Sequence, residues 1–191
     1  AMARKPRQDH RTTIVHFGFA RPEQLARWAV LGGIVSANPY YVTALAEHYA
    51  RHGIGKARTD NMVPLGDLRN NNIRFALHSD MPMAPASPLF LAWAAVNRLN
   101  AAGEVVGERH RISVDEALRA ITIDAAYSIR QEQEVGSIRV GKKANLTVLE
   151  QSPYAVDPVQ LKDIRVWGTM LEGRLQPVGN AGVSNSLARQ H

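Results

Sequence analysis

Ile73-Arg74-Phe75-Ala76-Leu77-His78-Ser79-Asp80, followed at once by Met81-Pro82-Met83-Ala84-Pro85, is the stretch on which the reading of the fold turns. Its apolar run stops at His-Ser-Asp and then meets two prolines, which marks a buried strand whose last residue is a carboxylate at the mouth of a pocket. Parallel strands covered on both faces read as near-continuous apolar runs, and barrel enzymes carry their chemistry just past the carboxyl ends of such strands. Asp80 is therefore weighed first. Two readings stay open on this stretch alone: Asp80 serves a site, or it caps the helix beyond the loop, since Asp is a favoured capping residue.

Working outward, the segments before Ile73 alternate. Thr12 to Phe19 is a β-branched and aromatic run with the look of a strand, and His16 sits near its end. Pro22 to Leu31 has Pro at a helix start, Glu23 in the first turn and Leu25, Trp28 and Ala29 on one face, with Gly32-Gly33 as the stop. Ile34 to Ala37 reads as a second short strand closed by Asn38-Pro39, with Tyr40 and Tyr41 at the same end of the sheet as His16. Val42 to Arg51 reads as a helix ended by Gly53. Residues 54–62 show no periodicity and read as an excursion on the active-site side, and Pro64 to Asn70 is a short helical approach to the central strand. Beyond it, Pro88 opens a third helix with Leu91, Ala94, Ala95 and Arg98 at helical spacing. Strand alternates with helix three times, which argues for βαβ units on a parallel sheet and an α/β fold class.

The later chain changes character. Ser113-Val114-Asp115-Glu116 has the form of a capping box, and Val114, Ala117, Leu118, Ile121 and Ala125 fall on one face of an amphipathic helix. From Gly136, Ser137 to Val140 and Ala144 to Leu149 read as two strands around a tight turn, and Ile164 to Leu171 with Arg174 to Pro177 as a hairpin about Glu172-Gly173. These strands lack intervening helices and belong to a separate antiparallel layer. The expected organisation is a basic leader without fixed structure at 1–11, an α/β unit at 12–130, a β-layer at 131–178 and a frayed tail at 179–191.

Composition bounds the function. At 191 residues, 45% hydrophobic and 21% charged, the chain is of globular type, large enough for one real core. There is no cysteine, so any metal must be held by His and carboxylate. That is compatible with the cytoplasm without establishing it, and the opening residues carry no export signal to decide the compartment. The longest apolar run falls short of a membrane span. The net charge is +6, and Arg4, Lys5, Arg7 and Arg11 against Asp9 place +3 of it in the first eleven residues. No aromatic residues are interleaved with those charges and no nucleic-acid module follows, so neither a nucleic acid nor a membrane is an expected partner.

Taken together, His16 near a strand end, Pro-Glu-x-Leu-Ala-Arg with Gly-Gly-Ile-Val-Ser-Ala-Asn-Pro, Pro-Leu-x-x-Leu leading to a strand ending in Ser-Asp, and Pro-x-x-Pro-x-Ser-Pro-Leu resemble the carboxyl-terminal part of the metal-dependent amidohydrolases, amidohydrolase family 3 in particular. Ser-Val-Asp-Glu-Ala-Leu-Arg-Ala-Ile-Thr and the run Val135 to Leu146 match the same family, and the similarity spans roughly residues 12 to 178. The resemblance implies a TIM-type (β/α)8 metal-dependent hydrolase barrel joined to a small β-sandwich, the composite domain, with the three strands here as the sixth, seventh and eighth of the barrel. It implies that His16 is a metal ligand and that Asp80 is both a ligand and the catalytic carboxylate. Two positions depart from the family: Asn145, where Asp is usual in the sandwich, and His78, where a small residue is usual. His78 is then a substrate contact or a space-filling group.

The family's His-x-His pair and its fourth- and fifth-strand ligands have no counterpart here, and three βα units cannot close an eight-stranded barrel. The expectation is a carboxyl-terminal fragment, probably inactive by itself being too strong a word for a sequence to license, but short of ligands: catalytic zinc usually takes three protein ligands and a water, and two matching positions are present. The cofactor implied is a divalent metal, with Zn2+ favoured by imidazole ligation and its occupancy in such a fragment left open. The activity implied is hydrolysis of carbon–nitrogen bonds other than peptide bonds in a small amide-like substrate, completed by an N-terminal part or an oligomeric partner. The alternative is a non-catalytic remnant acting as a binding or assembly module. Tyr40, Tyr41 and Met81 are candidate substrate contacts with packing as the plainer reading, and His48 and His52, one turn apart, read as an exposed helix face. His10, His110 and His191 lie in polar segments, and Trp28, Trp93 and Trp167 read as core.

Overall fold

The computed structural model describes residues 7–178; the tail expected to fray, 179–191, and the first six residues lie outside them. Three strands, β1 (Thr13–His16), β2 (Ile34–Ala37) and β3 (Phe75–Leu77), form a parallel sheet in the order β1-β2-β3. The register places His16 beside Ala37 and Ala37 beside Leu77, so all three carboxyl ends lie along one edge. The strands hold Val35, Ala37, Ala76 and Leu77 in the core, as expected for a sheet covered by helices.

Helix α1 (Pro22–Val30) begins with Pro at its first turn and buries Leu25. Its stop depends on Gly33, because a Cβ there would run into the Trp28 indole, whose Nε1 donates to the Ile34 carbonyl at 3.2 Å. Helix α2 (Tyr40–His48) starts two residues earlier than the apolar pattern suggests, and it ends in a π-helical turn, Tyr49–Gly53. The stretch 54–62 contains a single helical turn, α3 (Lys56–Thr59), and α4 (Leu65–Asn70) leads into β3. Helix α5 (Pro88–Asn97) is capped by Ser87, whose Oγ accepts from the Phe90 amide. The capping alternative for Asp80 is thereby corrected: Ser87 does that work seven residues on. β3 also ends at Leu77, three residues short of Asp80.

The capping box at Ser113 and Glu116 forms in both directions, 3.1 and 2.7 Å. The single helix expected beyond it is two, α6 (Val114–Ala120) and α7 (Ile123–Ser128), with the break at Thr122, whose hydroxyl donates back to the Leu118 carbonyl at 2.7 Å. Both pack against β3.

A second, antiparallel sheet has the order β4-β5-β6, from β4 (Leu146–Leu149), β5 (Val166–Leu171) and β6 (Arg174–Pro177), with the hairpin turning at Glu172-Gly173. The strand expected at Ser137 to Val140 does not form: this segment finds no neighbouring strand among the described residues, and Ile138 and Val140 stand 86% and 107% exposed. Trp167, read as core, is exposed on β5, whereas Trp93 is buried with its Nε1 donating to the Val159 carbonyl at 2.9 Å. No helix of the described residues is long and apolar enough to cross a membrane.

Residues 9–11 are not loose as expected. The Arg11 guanidinium lies over the Tyr127 ring, 3.7 Å from its centroid, and makes a two-pronged contact to the Glu132 carboxylate at 2.8 and 2.6 Å. Arg74 covers the other face of the same ring at 3.9 Å. A fork of this kind fixes orientation as well as charge, so the leader is docked on α7 before β1 begins.

Candidate metal-centre edge

The sheet's carboxyl edge is where ionisable side chains gather. His16 ends β1 with φ of +68°, and Asp80 has φ of +54°. Non-glycine residues in the left-handed region cost of order 1–3 kcal/mol each and persist where the surroundings over-determine them, a condition met often at functional sites. The two bends turn the side chains toward each other: His16 Nδ1 stands 3.5 Å from Asp80 Oδ2, with the side chains 48% and 45% exposed. Sixty-four residues of chain separate them, and the parallel register of three strands closes the gap.

His78 joins this pair. Its Nε2 is 3.3 Å from His16 Nδ1, and its Nδ1 is 2.9 Å from the Ser36 hydroxyl on β2. The two imidazoles meet edge to face with centroids 5.2 Å apart. Burial, followed by the neighbouring His16, pushes the His78 ring below the ordinary imidazole range, with Asp80 pulling the other way. Tyr41 stacks against His16 at 6.4 Å, and its phenol is raised by burial and by the Asp80 carboxylate. Tyr40 leans instead on Phe90, 5.7 Å away. Met81 is exposed and makes no recorded polar or aromatic contact. The structure thus brings together His16, His78, Asp80 and Tyr41, and sets Tyr40 and Met81 beside them without contact to the ionisable cluster.

Asn38 and Ser36 were not singled out from the sequence as site residues. The Asn38 backbone amide donates to the His16 carbonyl at 3.1 Å, its Nδ2 donates to the Ser79 carbonyl at 3.3 Å, and its Oδ1 accepts from the Tyr40 amide at 3.0 Å. One fully buried amide side chain therefore ties the ends of all three strands together. Ser36 carried a signal: it is the one polar residue in Ile34-Val35-Ser36-Ala37.

Other predicted positions lie elsewhere. His48 and His52 are exposed with ring centroids 5.3 Å apart. His110, passed over as part of a polar segment, is fully buried, with its Nδ1 unpartnered and 3.8 Å from Asp67. Among the described residues no group of three His, Asp or Glu side chains is disposed to hold a metal ion. The donors at the sheet edge, imidazole nitrogen and carboxylate oxygen, are nevertheless of the kind that zinc takes, and both principal ones are accessible from solvent. A cleft of about 370 Å³ runs along β1 past Ile14, His16, Gly18 and Trp28, reaching the cluster only through His16.

Comparison with known proteins agrees with this geometry at the level of family. The sequence pattern described as the amidohydrolase family matches residues 1–176. The N-substituted formamide deformylase of Arthrobacter pascens is 30% identical over 176 residues, 92% of this chain and 32% of that protein. An uncharacterized metal-dependent hydrolase of Pyrococcus furiosus superposes with a TM-score of 0.58 at 27% identity, covering 68% of this chain and 26% of that one. An adenosine deaminase of Xanthomonas campestris, solved with bound zinc, gives a TM-score of 0.62 at 18% identity, covering 87% of this chain and 37% of that one. The chain spans about a third of the length of the relatives it matches. With the family pattern running through all three parallel strands and on into the second sheet, this chain belongs to the amidohydrolase family.

Proposed function

We propose that these residues form the carboxyl-terminal part of a metal-dependent hydrolase that cleaves carbon–nitrogen bonds other than peptide bonds in a small amide-like substrate. The observation that carries this is the convergence of His16 and Asp80, both on strained backbone, at the carboxyl edge of the parallel sheet. On this reading β1, β2 and β3 are the sixth, seventh and eighth strands of a (β/α)8 barrel, and the antiparallel sheet is part of a β-sandwich. The similarity to a formamide deformylase supports the choice of substrate class.

His16 and Asp80 are the residues that would hold the metal, and zinc is the ion their donor types favour. When bound, a divalent metal supplies a water whose pKa is lowered from about 15.7 to roughly 7. Asp80 accepts the proton of the attacking water at a carboxylate oxygen and delivers it to the departing nitrogen, a transfer worth typically about 10²–10⁴-fold in rate. His78, Tyr40, Tyr41 and Met81 border the substrate, the phenols and thioether giving an apolar wall and the imidazole a polar contact. The remaining ligands come from outside these 191 residues, supplied by an N-terminal part or by a partner subunit.

Asp80→Asn in the whole protein tests this assignment. Metal content is expected to stay within twofold, while turnover of N-formyl amines falls at least about 100-fold. Unchanged turnover refutes the role of Asp80. A protein without stoichiometric metal and without turnover returns the alternative, a non-catalytic binding or assembly module.

A further inference from the structure

We propose that Ser36 fixes the tautomer of His78, and His78 that of His16, so that the nitrogen His16 offers to a divalent cation is Nε2. This relay rests on the proposed metal-dependent function for its purpose, but its geometry stands on contacts of this chain alone.

The argument starts at His16 Nδ1. It faces two atoms, Asp80 Oδ2 at 3.5 Å and His78 Nε2 at 3.3 Å. An ionised carboxylate can only accept, so a lone pair on His16 Nδ1 would point at negative charge, whereas an N–H there would be shared between the two neighbours. His16 is therefore protonated on Nδ1, and its other nitrogen carries the lone pair. His78 Nε2 must then accept from His16, which leaves the proton of the neutral His78 ring on Nδ1. That atom lies 2.9 Å from the Ser36 Oγ, and a hydroxyl serves equally as acceptor. Each link follows from the one before, and the last places a hydroxyl where an Nδ1–H needs an acceptor.

The arrangement is the one in which a ligating histidine donates its other N–H to a fixed partner, which sets ring orientation and tautomer. It also gives His78 a task that neither substrate contact nor space filling requires. Ser36 and His78 are positioning residues here, acting through His16.

Long-range ¹H–¹⁵N correlation spectra of the whole protein with labelled histidine, taken at a pH where the rings are neutral, read the tautomers directly. The expected result is Nδ1–H for both His16 and His78. In Ser36→Ala the His78 ring should shift toward the Nε2–H tautomer that free imidazole prefers, with the His16 signals moving in turn, while Ser36→Thr restores the native pattern. Addition of Zn2+ alone should move the His16 Nε2 resonance and leave Nδ1 protonated, and His78→Ala should weaken Zn2+ binding by about 10–100-fold. A native His78 found as Nε2–H, or a His16 that binds Zn2+ through Nδ1, overturns the relay. Tautomers as expected with no Zn2+ binding would uphold the relay and reject the metal-dependent function, so the two can fail separately.

Discussion

Replacing Arg98 by Met removes the most deeply buried charge in the chain. Arg98 ends α5 in the left-handed region, φ +52°, and is fully buried. Its guanidinium donates to three backbone carbonyls, those of Val106 at 2.7 Å, Val63 at 2.9 Å and Met62 at 2.7 Å. Hydrogen bonds from a charged donor contribute about 1.5–3 kcal/mol each, and their loss would leave three carbonyls without a partner. Against this, burial lowers the guanidinium pKa from 12.5 to about 10, so removing the charge relieves a penalty of roughly 3 kcal/mol. The hydrogen bonds win, and the net loss should be about 2–5 kcal/mol. For a chain of this size that corresponds to a fall in Tm of about 5–15 °C. The damage should also be directional. Val63 donates its amide to the Gly18 carbonyl at 2.7 Å, two residues past His16, so hydrogen exchange at Val63 should accelerate more than at the β4–β5 pairing. The assay is thermal denaturation with amide exchange on the whole protein. A Tm within about 1 °C of native, or exchange that rises evenly across both sheets, would refute the clamp.

Two further predictions concern stability and association. The His110 imidazole is held down to about 4 by burial and by Arg98 and Arg109, with Asp67 and Asp60 opposing. Above its ordinary 6.5 both folded and unfolded states are neutral there; as pH falls from 6.5 toward 4 the unfolded chain takes a proton that the folded one refuses, so stability is lost, by up to roughly 3 kcal/mol. Urea midpoints should drop over that window and the drop should flatten in His110→Asn; an equal slope in the variant would exclude His110 as its source. These 191 residues expressed alone should self-associate, because β1 has a free edge among the described residues and shows Ile14 and Val15 to solvent. Val15→Lys should reduce that association in analytical ultracentrifugation, and a monodisperse 21 kDa species with a sharp cooperative melt would refute the expectation.

The alternation of strand and helix could be read from the sequence because each unit declares its own period and its own stop. Ile34 to Ala37 was bounded correctly by Gly32-Gly33 before it and Asn38-Pro39 after it, and Ser113 with Glu116 marked a helix start that local hydrogen bonds alone determine. What depended on distant partners was harder. Ser137 to Val140 has strand composition, yet a strand needs a neighbour to pair with. The break at Thr122 was hidden because apolar spacing continues across it. His110 sits between Glu108, Arg109 and Arg111, and its burial follows from the close approach of this turn to Gly66, where a Cβ would meet the Arg109 carbonyl. At the candidate site, His16 and Asp80 stood out by chemistry and position, whereas Ser36 and Asn38 act through contacts that only the parallel register creates.

The most direct test of a shared ion at the sheet edge is a paramagnetic one. In the whole protein loaded with Co2+, the ring protons of His16 and the β-protons of Asp80 should both be shifted and broadened, with exposed His48 and His52 unaffected once loosely bound metal is removed. Sharp, unshifted signals from His16 and Asp80 beside a bound Co2+ would contradict the account.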